Sequence, residues 1–239
     1  MVEYLDCLSI ANEINEHAKS LTNGFARSFC NHAPRLAVVE INAGNDDQIF
    51  LRGIKKTAAE DGIKVGGDID GSESGILLVG SENYVWNPAL DVDGISDESM
   101  YDTRCVTEAA LTLIDRNGGL KDKIVTVIGR GSIGTNLTGF LTQSKATVCV
   151  CHSKTPQDAL SRLLSASDIV ICASRGAKFG TGALKDGVLV IDIGNGFSAS
   201  DIDEMEPRRI RITPRKNGIG CITRAILMKR VAVNYNRSF

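Results

Sequence analysis

Gly129, Gly131 and Gly134 stand at the spacing Gly-x-Gly-x-x-Gly, directly behind the β-branched run Val125-Thr126-Val127-Ile128. Arg130, Ser132 and Ile133 fill the intervening positions. A strand that ends in such a turn and opens a helix presents main-chain N–H groups, and the positive end of a helix dipole, to an anion. The first glycine lets the chain turn tightly, the second lets bare backbone approach a phosphate, and the third lets helix and strand pack closely. The six residues Gly129, Arg130, Gly131, Ser132, Ile133 and Gly134 are therefore candidate contacts for a dinucleotide pyrophosphate. A tight turn that binds nothing is the competing reading.

The next strand end selects the dinucleotide. An NAD site places Asp or Glu about 20 residues beyond the glycines, against the ribose 2′-hydroxyl. Here that stretch reads Val150-Cys151-His152-Ser153-Lys154-Thr155 and holds no acid. His152, Ser153 and Lys154, with Arg130, suit a 2′-phosphate instead, so NADP is the expected cofactor and NAD the less favoured one. Ser174, Arg175 and Gly194 follow two later strands and are assigned to the cofactor as well. Lys178 in the same loop is a weaker candidate, Asp192 is expected to orient its loop, and Asn195 accompanies Gly194.

Elements of matching type must position these residues. Strands are expected at Ile124–Ile128, Thr147–Cys151, Ile169–Ala173, Leu189–Ile193 and Arg209–Ile212. Helices are expected at Ser132–Gln143 and about Ala159–Ser165. Short apolar strands alternating with helices imply parallel strands buried on both faces. In the first half, helices are expected at Ile10–Ser20, at Asp46–Asp61 with Asn45 or Asp46 as N-cap, and at Val106–Arg116 ending in Gly118-Gly119. Strands are expected there at Leu36–Ile41 and Ile76–Val79, and a final helix at Thr223–Tyr235. The fold class is α/β: a Rossmann-like, dinucleotide-binding parallel sheet plus a smaller α/β N-terminal domain, with a cleft between them. The expected boundaries are 1–105 for the N-terminal substrate domain, 106–222 for the dinucleotide domain, and 223–239 for a C-terminal helix packing back on the first.

Bulk properties exclude several functions. The 239 residues are 43% hydrophobic and 23% charged, with net charge −2. That balance speaks against nucleic acid, and Pro207-Arg208-Arg209-Ile210-Arg211 is too small a basic cluster to change it. No apolar run approaches the roughly 20 residues of a membrane span. Seven cysteines without a Cys-x-x-Cys pair, and an acidic start without a leader pattern, point to a reducing cytoplasm. The three histidines lack ligand spacing, so no metal is expected.

Further motifs narrow the reading. Ala146 to Thr155, Val190-Ile191-Asp192-Ile193-Gly194, Asp91-Val92-Asp93-Gly94 and Gly75-Ile76-Leu77-Leu78-Val79 occur in one order along the chain. So do Ile212-Thr213-Pro214, Gly218-Ile219-Gly220 and Thr223. In these segments the chain resembles a shortened, divergent member of the bifunctional methylenetetrahydrofolate dehydrogenase/methenyltetrahydrofolate cyclohydrolase family. The resemblance implies an NADP-dependent oxidoreductase of one-carbon metabolism, a folate-like substrate in the cleft, and a homodimer. It also implies that a Tyr and a Lys one helical turn later perform the cyclohydrolase step, on the helix that here reads Gln48 to Lys56. Phe50 takes the Tyr position and Ile54 the Lys position, and neither side chain can move a proton. Lys55 is a neighbouring substitute, but it points about 100° around the helix. The family's Gln falls on Val79, and Asp93 alone keeps the polar contact to the pterin. Phe50, Val79, Gly218 and Gly220 are the implied substrate contacts.

Three departures accompany the resemblance. The stretch from Gly62 to Asp91 is short, Lys216-Asn217-Gly218-Ile219-Gly220-Cys221 lacks the family's prolines, and the glycine turn is one residue shorter. Dehydrogenase without efficient cyclohydrolase is the expected activity. A divergent dehydrogenase on another small molecule and a non-catalytic nucleotide-binding relative are the alternatives.

Overall fold

The computed structural model describes residues 2–24, 32–80, 87–175 and 180–237. The chain forms two compact units: residues 1–7 with 110–219, and residues 8–109 with 220–239.

The first unit is built on a parallel sheet. Its strands are β1 (Glu3–Tyr4), β5 (Ile124–Ile128), β6 (Thr147–Cys151), β7 (Ile169–Cys172), β8 (Leu189–Asp192) and β9 (Arg211–Ile212). They lie in the order β1-β9-β8-β7-β5-β6, and every pair is parallel. β7 and β8 are buried along their whole length, which is why they are continuous apolar runs and not alternating ones. The order reverses at β5, which pairs with β6 on one side and β7 on the other. In open α/β sheets the crevice at such a reversal, outside the carboxyl ends of the strands, is where ligands bind. Helices α4 (Ser132–Thr142), α5 (Gln157–Ala166) and α6 (Ala199–Met205) join the strands.

β1 was not expected from the sequence, and it corrects the start of the 1–105 boundary. Glu3 and Tyr4 pair with Arg211 and Ile212, so the first residues belong to the nucleotide-unit sheet. α6 also departs from expectation, although its signal was present. The Ser198 N–H donates to the Asp201 carboxylate at 2.6 Å and the Asp201 N–H to Ser198 Oγ at 3.2 Å, a reciprocal helix cap.

The second unit holds α1 (Cys7–Asn23, from its second residue), α2 (Asn45–Glu60), the start of α3 (Cys105–Arg116) and most of α7 (Ile219–Arg237). Its sheet is β3 (Lys64–Gly66), β2 (Arg35–Glu40) and β4 (Gly75–Val79) in the order β3-β2-β4, again parallel. The N-cap of α2 is Gly44, not Asn45 or Asp46. Asp47 supplies the capping acceptor, taking the Gly44 N–H at 2.8 Å. α7 is buried almost all round through Ala225, Ile226, Leu227, Met228, Val231, Ala232 and Tyr235.

Beyond the end of α2, Asp61 is buried and, among the described residues, neither carboxylate oxygen has a hydrogen-bond partner. Burial, the dominant cause, raises its carboxyl to about 7, with Lys19 opposing. Between pH 4 and 7 the folded state then holds more protons than the unfolded chain, so stability falls as pH rises. The loss is at most about 4 kcal/mol. Asp61→Asn is expected to raise the melting temperature at pH 8 and to leave it nearly unchanged at pH 4. An equal change at both would show that the carboxylate carries no such penalty.

Candidate functional site

The glycine turn leaves β5 at its carboxyl end. Gly129 has φ +112, a conformation that side chains disfavour, and its N–H donates to Cys151 O at 2.8 Å. A Cβ on Gly129 would stand 3.0 Å from the Ala173 carbonyl, and one on Gly134 only 2.1 Å from Gly129 O. Helix and turn therefore touch backbone to backbone. Gly131, the N-cap of α4, is different: among the described residues a Cβ there would meet nothing within 4 Å. The turn thus has one glycine demanded by its backbone angle, one by packing, and one that faces open space. That open space lies at the N-terminus of α4, whose geometry aims main-chain N–H groups outward. A helix N-terminus bare of a side chain is the kind of place that receives a phosphate.

The neighbouring loops converge on the same sheet edge. A Cβ on Gly129 would stand 3.1 Å from Ser174 Cβ, and one on Gly194 would lie 2.5 Å from Ser174 O. Gly129, Ser174 and Gly194 therefore form one continuous strip along the carboxyl ends of β5, β7 and β8. Asp192 holds the last of these loops, accepting the Gly196 N–H at 2.9 Å, while its own N–H donates to Thr213 Oγ1 at 2.9 Å. Arg175 is exposed beside this strip, and Lys178 lies outside the described residues.

Past β6 the chain folds into a tight turn. The His152 N–H donates to Thr155 Oγ1 at 2.9 Å, and His152 Nδ1 accepts the Lys154 N–H at 3.2 Å. The imidazole is thus engaged in ordering the turn. Ser153 and Lys154 are exposed, with no carboxylate between β6 and Thr155.

In the second unit the Asp91-Val92-Asp93-Gly94 motif divides its work. Asp91 is buried and structural, accepting N–H groups of Gly94 at 3.0 Å and Ser96 at 2.8 Å. Asp93 is half-buried. Burial pushes its carboxyl up to about 6, Arg104 pulling the other way, Asp91 adding to the rise and Arg230 opposing it. Arg230 anchors this segment to α7. Its guanidinium donates to Val92 O at 3.1 Å, Thr103 O at 2.9 Å and Glu108 Oε2 at 2.6 Å, and stacks 4.3 Å from the centroid of the Tyr101 ring.

The remaining substrate candidates need correction. Ile54 is 0% exposed and Val79 6%, so both pack in the core of this unit. Leu51, Ile54 and Ala58 make the inward stripe of α2, which leaves Lys55 exposed on another face. Lys55 is therefore no replacement for a proton-handling residue at position 54. Phe50 is half-buried. Gly218 is accounted for by its turn, since a Cβ would stand 2.0 Å from Pro214 O. A Cβ on Gly220 would lie 3.5 Å from Arg224 Nη1.

That arginine was not anticipated. Arg224 on α7 lies against Gly53 of α2: a Cβ on Gly53 would stand 2.9 Å from both Cδ and Nε of Arg224. Burial lowers the pKa of its guanidinium, and Nε is buried without a hydrogen-bond partner among the described residues. A glycine in the middle of a helix was the one sequence signal available, because it marks close approach or lost stability.

Comparison with known proteins adds a lineage to this geometry. Residues 104–239 match the family model described as tetrahydrofolate dehydrogenase/cyclohydrolase, NAD(P)-binding domain. A bifunctional protein FolD of Thermotoga petrophila is 34% identical over 157 residues, 59% of this chain and 57% of that protein. The chain thus spans little more than half the length of that relative. The FolD protein of Clostridioides difficile is 30% identical over 245 residues, 83% of this chain and 85% of that protein. Among solved structures, the Trypanosoma brucei methylenetetrahydrofolate dehydrogenase-cyclohydrolase complexed with NADP and an inhibitor shares the fold. Its TM-score is 0.82 at 22% identity, covering 99% of this chain and 98% of that one.

Proposed function

We propose, for a chain that belongs to the tetrahydrofolate dehydrogenase/cyclohydrolase family, that it is an NADP-dependent methylenetetrahydrofolate dehydrogenase of one-carbon metabolism. The observation that carries this reading is the open space at Gly131, set between a glycine that must turn and one that must pack. When bound, the dinucleotide accepts a hydride at its nicotinamide. The substrate's methylene carbon gives up that hydride with its electron pair and becomes the methenyl cation, so no proton has to move. Main-chain N–H groups at the start of α4 hold the pyrophosphate, and Ser153 and Lys154 hold the 2′-phosphate. Asp93 offers a carboxyl to the substrate ring.

Hydrolysis of the methenyl product needs an activated water and a proton carrier, and a buried isoleucine at position 54 supplies neither. The loss of a phenolic hydroxyl at the half-buried Phe50 favours a second reading, a dehydrogenase acting on another small molecule. Following NADPH formation by absorbance with 5,10-methylenetetrahydrofolate separates the two. Turnover supports the first, and cofactor binding without turnover overturns it.

The cofactor preference has its own test. Lys154→Asp is expected to weaken NADP binding about tenfold or more, the value of a charge-assisted phosphate contact, and to spare NAD. Equal losses for both dinucleotides would remove Lys154 from the 2′-phosphate. A cytoplasmic homodimer paired through the nucleotide unit completes the proposal. β6 supports the pairing, being an edge strand on which Val150 is 41% exposed. Among the described residues no helix is long and apolar enough to cross a membrane.

A further inference from the structure

α7 carries two inward arginines with opposite circumstances. Arg230 is saturated with acceptors and an aromatic face. Arg224, fewer than two turns earlier, makes no hydrogen bond or ion pair among the described residues, and its Nε is sealed from solvent. An uncompensated charge held partly out of water costs stability, and folded proteins rarely keep one without a use. The surroundings maintain it nevertheless. Gly53 gives up helix propensity in the middle of α2, and its missing side chain is what allows Cδ, Nε and Cζ of Arg224 to lie on the helix within 2.9–3.0 Å of the Cβ position. The guanidinium folds back over Gly220, at the positive N-terminal end of α7. Phe50 lies one turn before Gly53 on the same face of α2, and Ile54 follows Gly53 directly.

We propose that Arg224 is a substrate-binding residue of the second unit, which receives an anionic or carbonyl oxygen of a ligand that approaches α2 beside Phe50. The assignment rests on the folate reading above for the identity of that ligand, whose ring carbonyl and carboxylates are the matching oxygens. It also gives the unit a positive charge beside Gly53 of α2 without a group for hydrolysis. A guanidinium stays protonated at all working pH values, so it can orient an oxygen but cannot shuttle a proton to water.

The test compares the unmodified protein with Arg224→Met and Gly53→Ala, using tetrahydrofolate as probe and NADP as control. Arg224→Met is expected to weaken tetrahydrofolate at least about tenfold and to leave NADP affinity unchanged. It is also expected to raise the apoprotein melting temperature by about 2–4 °C, because a methionine needs no counter-ion. Gly53→Ala, by displacing the guanidinium, is expected to reproduce the affinity loss without lowering the melting temperature. Equal tetrahydrofolate affinity in all three proteins would overturn the assignment and leave the dehydrogenase reading standing. Failure of the unmodified protein to bind tetrahydrofolate would overturn the folate reading instead, and the melting temperatures then decide Arg224 alone. A higher value for Arg224→Met supports a ligand-directed charge, whereas an equal or lower one makes the residue structural.

Discussion

Gly131→Val is expected to lower NADP affinity at least about a hundredfold, the equivalent of losing two charge-assisted main-chain contacts. The same variant is expected to leave the melting temperature of the apoprotein within about 2 °C, because its Cβ would meet no described atom within 4 Å. The backbone at Gly131, φ −70 and ψ −173, suits a β-branched residue, so no strain enters the turn. Isopropyl methyl groups would instead fill the space that a pyrophosphate needs. Gly134→Ala is the contrasting control. Its Cβ would fall 2.1 Å from Gly129 O, so backbone must move and both stability and affinity drop. A Gly131 variant that binds NADP normally would show that the open space has another purpose.

The second large effect is an activity that stops one step short. Given 5,10-methylenetetrahydrofolate and NADP, the protein is expected to accumulate the methenyl product and not the hydrolysed one. Removing a positioned acid–base group typically costs 10²–10⁴ in rate. Position 54 cannot be repaired singly, because a lysine there would bury its ammonium in the core of α2 packing. Ile54→Lys is therefore expected to destabilise the unit and not to restore hydrolysis. Following both species by absorbance checks this. Hydrolysis at a rate near that of hydride transfer would contradict it and require a different proton carrier.

The nucleotide unit was readable because its signals are local. β5, the glycine turn and α4 are consecutive in sequence, and each glycine has a separate steric reason visible in the pattern. Edge pairing left no such mark: β1 contributes two residues, and its pairing with β9 joins positions about two hundred residues apart. The N-cap of α2 was misplaced because the acceptor belongs to Asp47, reaching back to a glycine whose own side chain offers nothing. Ile54 carries the more instructive lesson. Its alignment with a catalytic lysine placed it at the hydrolytic step, yet Leu51, Ile54 and Ala58 at helical spacing already described an ordinary inward stripe. For Arg224 the sequence offered only Gly53, a glycine in the middle of a helix. A charge within an apolar helix reads as solvated until three-dimensional packing shows that, among the described residues, nothing pairs with it.

Diffraction from crystals grown with saturating NADP is the most direct test. The pyrophosphate is expected on the main-chain N–H groups at the start of α4, beside Gly131, with the 2′-phosphate against Ser153 and Lys154. Crystals whose turn holds no dinucleotide, or whose dinucleotide sits elsewhere, would contradict cofactor binding at this site and the dehydrogenase chemistry built on it.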